Sequence, residues 1–202
     1  TGQLAYPWDE PLATAALAYH RTSTRVVRDL YTSSARRLEP LYDELAADVA
    51  ADDRGWDRAA RTISVEVRRV AEFAAGERQV VGTVKNAIVD GARARGVALA
   101  VDGERPDLLV VARLDDRGQV LIGLDLTRGT RTRRGWRRDA GEAPLREHLA
   151  AVMAIEARYD PRKDLLVDPM CGAGTIAIEA ARGERGAPVH GDGPADRKST
   201  RL

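Results

Sequence analysis

A single cysteine, Cys171, stands among 202 residues. That excludes an internal disulfide and any cysteine-cluster zinc site, and it fits a reducing compartment. Histidine is nearly as scarce. His20, His148 and His190 lie far apart with no metal-ligand spacing, so no metal is expected. No apolar stretch approaches the roughly 18 residues a membrane-spanning helix needs, and no signal peptide is evident, so a cytoplasmic protein without a membrane partner is expected. Neither sign of charge dominates: 32 basic and 31 acidic side chains leave +1, and the global charge advertises no nucleic-acid partner. Lysine is rare, with Lys85, Lys163 and Lys198 leaving 29 arginines among the 32 basic residues. The guanidinium fork suits phosphate, and GC-rich coding produces the same bias without a functional cause. What is present, 44% apolar and 31% charged residues, is the composition of a globular chain with room for one large domain or two small ones.

The hydrophobic pattern predicts alternating helices and strands. Leu12, Ala16, Leu17 and His20, continued by Val27, Leu30 and Tyr31, form a helical stripe between Pro11 and Tyr31. Leu41, Leu45 and Val49 form a second stripe after Pro40. Ile63, Val65 and Val67 alternate with polar residues as a half-buried strand does. Val84, Ala87, Ile88 and Gly91 predict a helix capped by Thr83 and ending near Gly96. Leu108 to Leu114 and Gln119 to Leu126 read as a hairpin about an Asp115-Asp116-Arg117-Gly118 turn. Pro144 opens a helix whose buried face is expected to be Leu145, Leu149, Val152 and Met153. Leu165-Leu166-Val167 reads as a short strand buried on both faces, and Thr175 to Ala181 as a helix.

The strongest local signal is the junction of those last two elements, Asp168-Pro169-Met170-Cys171-Gly172-Ala173-Gly174-Thr175. A strand, a tight glycine turn and an apolar-faced helix form the nucleotide-binding corner of a doubly wound sheet, where a ligand approaches the backbone more closely than a Cβ allows. The spacing is not that of a phosphate-cradling P-loop, and it is not a full Gly-x-Gly-x-x-Gly, since Ala177 takes the last position. On the glycines alone, a purely structural turn with Asp168 as its cap stands beside the functional reading.

The full string, with Ile178-Glu179-Ala180-Ala181, resembles motif I of the THUMP-containing, class I S-adenosylmethionine-dependent RNA methyltransferases. These bacterial enzymes methylate the exocyclic N2 of guanine in 23S ribosomal RNA, and archaeal and eukaryotic relatives act on transfer RNA. Arg134-Gly135-Trp136-Arg137, Ala143-Pro144-Leu145-Arg146-Glu147 and Leu149-Ala150-Ala151 are similar to the family's linker and first methyltransferase helix. Val84-Lys85-Asn86-Ala87-Ile88-Val89-Asp90 and Arg105-Pro106-Asp107-Leu108 resemble its THUMP core.

The resemblance implies an α/β chain, a THUMP-type RNA-binding module followed by the start of a doubly wound, Rossmann-like methyltransferase domain. Its divisions would be the end of a ferredoxin-like region at 1–40, THUMP at 41–127, a basic linker at 128–142 and the beginning of the methyltransferase domain at 143–195. It implies S-adenosylmethionine as cofactor, with Asp168, Cys171, Gly172, Gly174 and Thr175 lining its pocket and Pro169 shaping the turn. Cys171 is then a small pocket residue; the competing role, a nucleophile, lacks a partner base. Ribosomal RNA is the implied partner and transfer RNA the second choice, with Lys85, Arg131, Arg133, Arg134 and Arg137 as candidate contacts. Arginines interleaved with glycines and Trp136 suit phosphate and base stacking, and a solvated linker with Trp136 packed structurally is the plain alternative.

The family's Asn/Asp-Pro-Pro catalytic motif does not occur, since the chain has no Pro-Pro. Asp192 lies near the place of the ribose-binding acid without the context that would assign it. Asp196-Arg197-Lys198-Ser199-Thr200-Arg201-Leu202 reads as a translated sequencing adapter, so an artefactual tail on a fragment, inactive and with weak or no cofactor binding, is expected. An RNA-binding module without chemistry is the second reading. A DNA adenine N6-methylase is a weaker third, because it shares the motif style and not the upstream module.

Overall fold

A computed structural model of the chain describes residues 4–51, 56, 59–68, 73–114, 117–128 and 144–184. The elements in chain order are α1 (Glu10–Tyr19), β1 (Val27–Ser33), α2 (Leu38–Ala51), β2 (Thr62–Arg68), α3 (Glu77–Ala94), β3 (Ala100–Val101), β4 (Leu108–Leu114), β5 (Val120–Asp125), α4 (Glu147–Glu156) and α5 (Thr175–Glu184). They fall into two compact units, one of residues 27–129 and one joining 1–26 to 130–202.

The 27–129 unit is a five-stranded sheet in the order β1-β5-β4-β2-β3. β5 pairs antiparallel with both β1 and β4, whereas β2 pairs parallel with β4 and β3. Parallel pairing requires a crossover, and α3 supplies it, carrying the chain from β2 to the parallel edge. The core lies between the strands and the helix pair α2 and α3, with Leu41, Leu45, Ile63, Ile88 and Ile122 fully buried. The helices meet at Gly91, where a Cβ would lie 2.6 Å from the Ala46 carbonyl oxygen and 2.7 Å from Val49 Cβ. At their edge the Tyr42 hydroxyl donates to Asp90 at 2.7 Å, which pushes its pKa above the usual tyrosine range.

Two expectations for this unit are corrected. Val27, Leu30 and Tyr31 belong to strand β1, and the helix expected to run to Tyr31 ends at Tyr19. Leu30 is the extra residue of a bulge, since Asp29 faces Gly123 and Tyr31 already faces Ile122. The bulge breaks the two-residue alternation and leaves buried positions spaced as on a helix. The helix placed after Thr83 begins at Glu77. Gly76 is its N-cap, with the Gln79 amide donating to the Gly76 carbonyl at 3.0 Å and the Gln79 side chain accepting from Gly76 N–H at 3.1 Å. Val80 extends the buried stripe by the missing turn.

Arg105-Pro106-Asp107-Leu108 has a structural role. The Asp107 carboxylate accepts from the Arg61 and Thr62 amides at 2.8 and 3.0 Å, while the Thr62 hydroxyl accepts from Asp107 N–H at 2.8 Å. This joins the entrances of the parallel strands β2 and β4. The Arg61 amide first, then the Thr62 side chain and amide, hold Asp107 below the usual carboxylate range.

In the other unit, α4 packs on α5. The face expected to be buried is largely inverted: Leu149 and Met153 are exposed, whereas Glu147, His148, Ala150 and Ala151 are buried. Alanines let α5 approach closely, and among the described residues of this unit there is no sheet for the larger side chains to cover. The strand expected at Leu165-Leu166-Val167 is likewise not formed. Leu165 and Val167 are 87% and 73% exposed, and no described strand pairs with them.

The packing at Gly91 and the bonds of Asp107 are both open to measurement. Gly91→Ala should lower the stability of the 27–129 unit by about 1–3 kcal/mol in urea unfolding, because the added methyl group has no room at the helix crossing. Asp107 has a folded-state pKa below its unfolded one, so its stabilisation is present above the ordinary aspartate pKa and is lost as pH falls through the folded value. Asp107→Asn should therefore flatten the stability profile below about pH 4, measured by denaturation at stepped pH.

Candidate cofactor-binding loop

The chain enters this loop outside any helix or strand and turns at Asp168, whose Oδ1 accepts from the Met170 amide at 3.1 Å. The Cys171 carbonyl then accepts from Gly174 N–H at 2.7 Å, closing a tight turn. Gly172 and Gly174 have φ of +50° and +69°, in the left-handed region that other residues enter only with strain. Beyond them α5 starts at Thr175, and its first internal bond runs from Ile178 N–H to the Gly174 carbonyl at 2.9 Å. The first amides of a helix lack intrahelical acceptors and carry a partial positive charge, so the loop presents donors and a favourable field to an anionic or polar ligand.

The six candidate cofactor residues all lie within this corner, between Asp168 and Thr175. Asp168 is half-buried, Pro169 and Cys171 are exposed, and Thr175 is 4% exposed beneath the turn. A Cβ at Gly172 would meet nothing within 4 Å, so conformation requires glycine there and open space lies above it. That combination fits a backbone surface against which a ligand rests. The loop brings together Asp168 and the turn glycines, and the Cys171 thiol donates to the Gly172 carbonyl at 3.8 Å.

Lys85 lies on α3 in the 27–129 unit, half-buried and without an ion pair among the described residues. Arg131, Arg133, Arg134 and Arg137 lie outside the described residues, as do Trp136, His190 and Asp192. His148 is buried on α4, and His20 contacts the Thr22 hydroxyl at 3.4 Å. Among the described residues no group of histidine, cysteine and carboxylate side chains is placed to hold a metal ion, and no helix is long and apolar enough to cross a membrane.

Residues 134–191 match the family model described as RMKL-like, methyltransferase domain. The match is confined to this segment of the chain. It contains both Arg134-Gly135-Trp136-Arg137 and the glycine loop. The chain is 44% identical over 128 residues to the ribosomal RNA large subunit methyltransferase K/L of Chromohalobacter salexigens, covering 61% of this chain and 17% of that one. It is 37% identical over 167 residues to the protein of the same name from Pseudomonas entomophila, covering 81% of this chain and 22% of that one. The chain thus spans about a fifth of the length of these relatives. Among solved structures it is similar to a possible methylase from Clostridium difficile 630, with a TM-score of 0.71 and 25% identity over 90% of this chain and 47% of that one.

The loop is legible in residue type, whereas a residue that touches the helix behind it is not. Arg21 lies 158 positions before its partner Glu179, and no local pattern connects two residues at that separation. For the loop itself, Gly172→Ala and Gly174→Ala should each cost about 1 kcal/mol through left-handed strain, measured as a lower melting temperature of the unit that holds α5.

Proposed function

We propose that the chain is part of an RNA methyltransferase that transfers a methyl group from S-adenosylmethionine to the exocyclic N2 of a guanine in 23S ribosomal RNA. The observation that carries this reading is the Asp168–Thr175 corner: two left-handed glycines and a helix N-terminus, within the segment that matches the methyltransferase family. When bound, the cofactor supplies an electrophilic methyl group on a sulfonium. The protein's part is to hold donor and amine in line, and such positioning supplies much of the acceleration in a displacement that needs little acid–base power. Gly172 and Gly174 would let the ligand lie on the backbone, Thr175 would support the turn from beneath, and Asp168 would fix the geometry through its bond to Met170. Cys171 would line the pocket as a small side chain.

Residues 41–127 would be the THUMP RNA-binding module with Lys85 as a candidate phosphate contact, and Arg131, Arg133, Arg134 and Arg137 of the linker would be further candidates. A guanine reaching the donor must leave its stack, so the contacted RNA would be locally single-stranded. The site of action would be the cytoplasm.

Ultraviolet crosslinking with radiolabelled S-adenosylmethionine, which captures weak occupancy, should label a peptide containing residues 168–175. Labelling elsewhere, or none at millimolar cofactor, removes the donor-binding reading. In fluorescence anisotropy a 23S ribosomal RNA fragment should bind with an affinity that falls steeply between about 50 and 200 mM salt, as expected when several phosphates are neutralised. RNA binding without crosslinking would leave a binding module alone.

A further inference from the structure

The helix that follows the glycine loop is held by a residue from the other end of the chain. The Arg21 guanidinium donates to Glu179 Oε2 at 2.7 Å, and the same nitrogen donates to the Glu179 carbonyl oxygen. The Glu179 side chain is fully buried and that of Arg21 is 16% exposed, so the pair sits away from bulk screening. One turn further along, a Cβ at Gly183 would collide with Arg21 Nη1. Thr175, Glu179 and Gly183 are spaced by four and share one face of α5, so the guanidinium lies along the face that begins directly under the glycine turn.

We infer that Arg21 is a positioning residue for the methyl-donor loop: it sets the rotation of α5, and with it the direction in which the first amides of that helix and the Gly172–Gly174 backbone face the ligand. Two hydrogen bonds from one guanidinium nitrogen, to the backbone and the side chain of the same residue, with Gly183 leaving room for the rest of the group, define an orientation, whereas a lone ion pair defines only a distance. A carboxylate buried this deeply is strongly unfavourable without its partner, so the segment around residue 21 cannot leave α5 without releasing the helix. Glu179 receives the clamp and does not touch the ligand. The inference rests on the donor-binding reading for its purpose and on the Arg21 contacts for its geometry.

Cys171 provides the test, because it is the sole thiol of the chain and stands exposed within the loop. In full-length Arg21→Met, amide hydrogen exchange of residues 170–175 should accelerate by about tenfold or more, as expected when a local anchor is lost. The rate at which an aromatic disulfide reagent modifies Cys171 should change severalfold, with Arg21→Lys intermediate because it keeps the charge and loses the planar guanidinium. Exchange in β4 and β5 should match the parent. Parental loop exchange in Arg21→Met overturns the proposal, and so does a uniform increase across α4 and α5, which marks a merely structural role. If Arg21→Met does not fold, Gly183→Ala displaces the guanidinium while keeping both charges and should produce the same loop-specific acceleration. Adding S-adenosylhomocysteine separates the two readings. Protection of Cys171 in the parent, weakened in Arg21→Met, supports both. Absent protection with intact acceleration removes the donor role and retains Arg21 as the residue that sets the loop.

Discussion

A backbone N–H or C=O withdrawn from water must find a partner, and that requirement organises most of what is seen here. It makes β1 a strand, because β5 offers a row of antiparallel partners to Val27–Ser33. It gives Asp107 its place at the mouths of β2 and β4, where the ladder has ended and the Arg61 and Thr62 amides still need acceptors. It closes the glycine corner through Asp168 and the Cys171 carbonyl. The same rule explains an absence. Leu165-Leu166-Val167 has the composition of a buried strand, but no described strand pairs with it, and Leu165 and Val167 are exposed.

The two units place different demands on their side chains. In the 27–129 unit, the α3 crossover brings the helices close enough that Gly91 admits no side chain, and the apolar residues of four strands fill the space beneath. Packing there is set by shape. In the other unit, the described helices contribute mostly small buried residues together with charged ones, including Glu147 and Glu179. Directional contacts matter more there, as in the Arg21–Glu179 pair, whose carboxylate is fully buried and whose guanidinium is largely so. A loop that presents backbone amides to a ligand depends on such constraints, because its own glycines contribute no side-chain packing to hold it still.

Much was legible from residue spacing where one element satisfies itself. The stripes of α2 and α3, the alternation in β2 and the hairpin of β4 and β5 all follow from local periodicity. The glycine corner was legible for a related reason: left-handed φ values require glycine, so the pattern is written in residue type. The failures share the opposite cause. The bulge at Leu30 gave a strand the spacing of a helix, and the exposed Leu149 and Met153 gave α4 an apparent core face that its neighbour does not use.

By itself the sequence determined the α/β class, the glycine corner and its resemblance to a methyltransferase motif, because each depends on residue type at short separation. Only the tertiary structure decided that β1 joins the sheet, that Asp107 ties two strand entrances and that Arg21 reaches Glu179. Those are contacts between residues tens to more than a hundred positions apart. Their free energy depends on which groups the fold has already removed from water, and no local pattern encodes that.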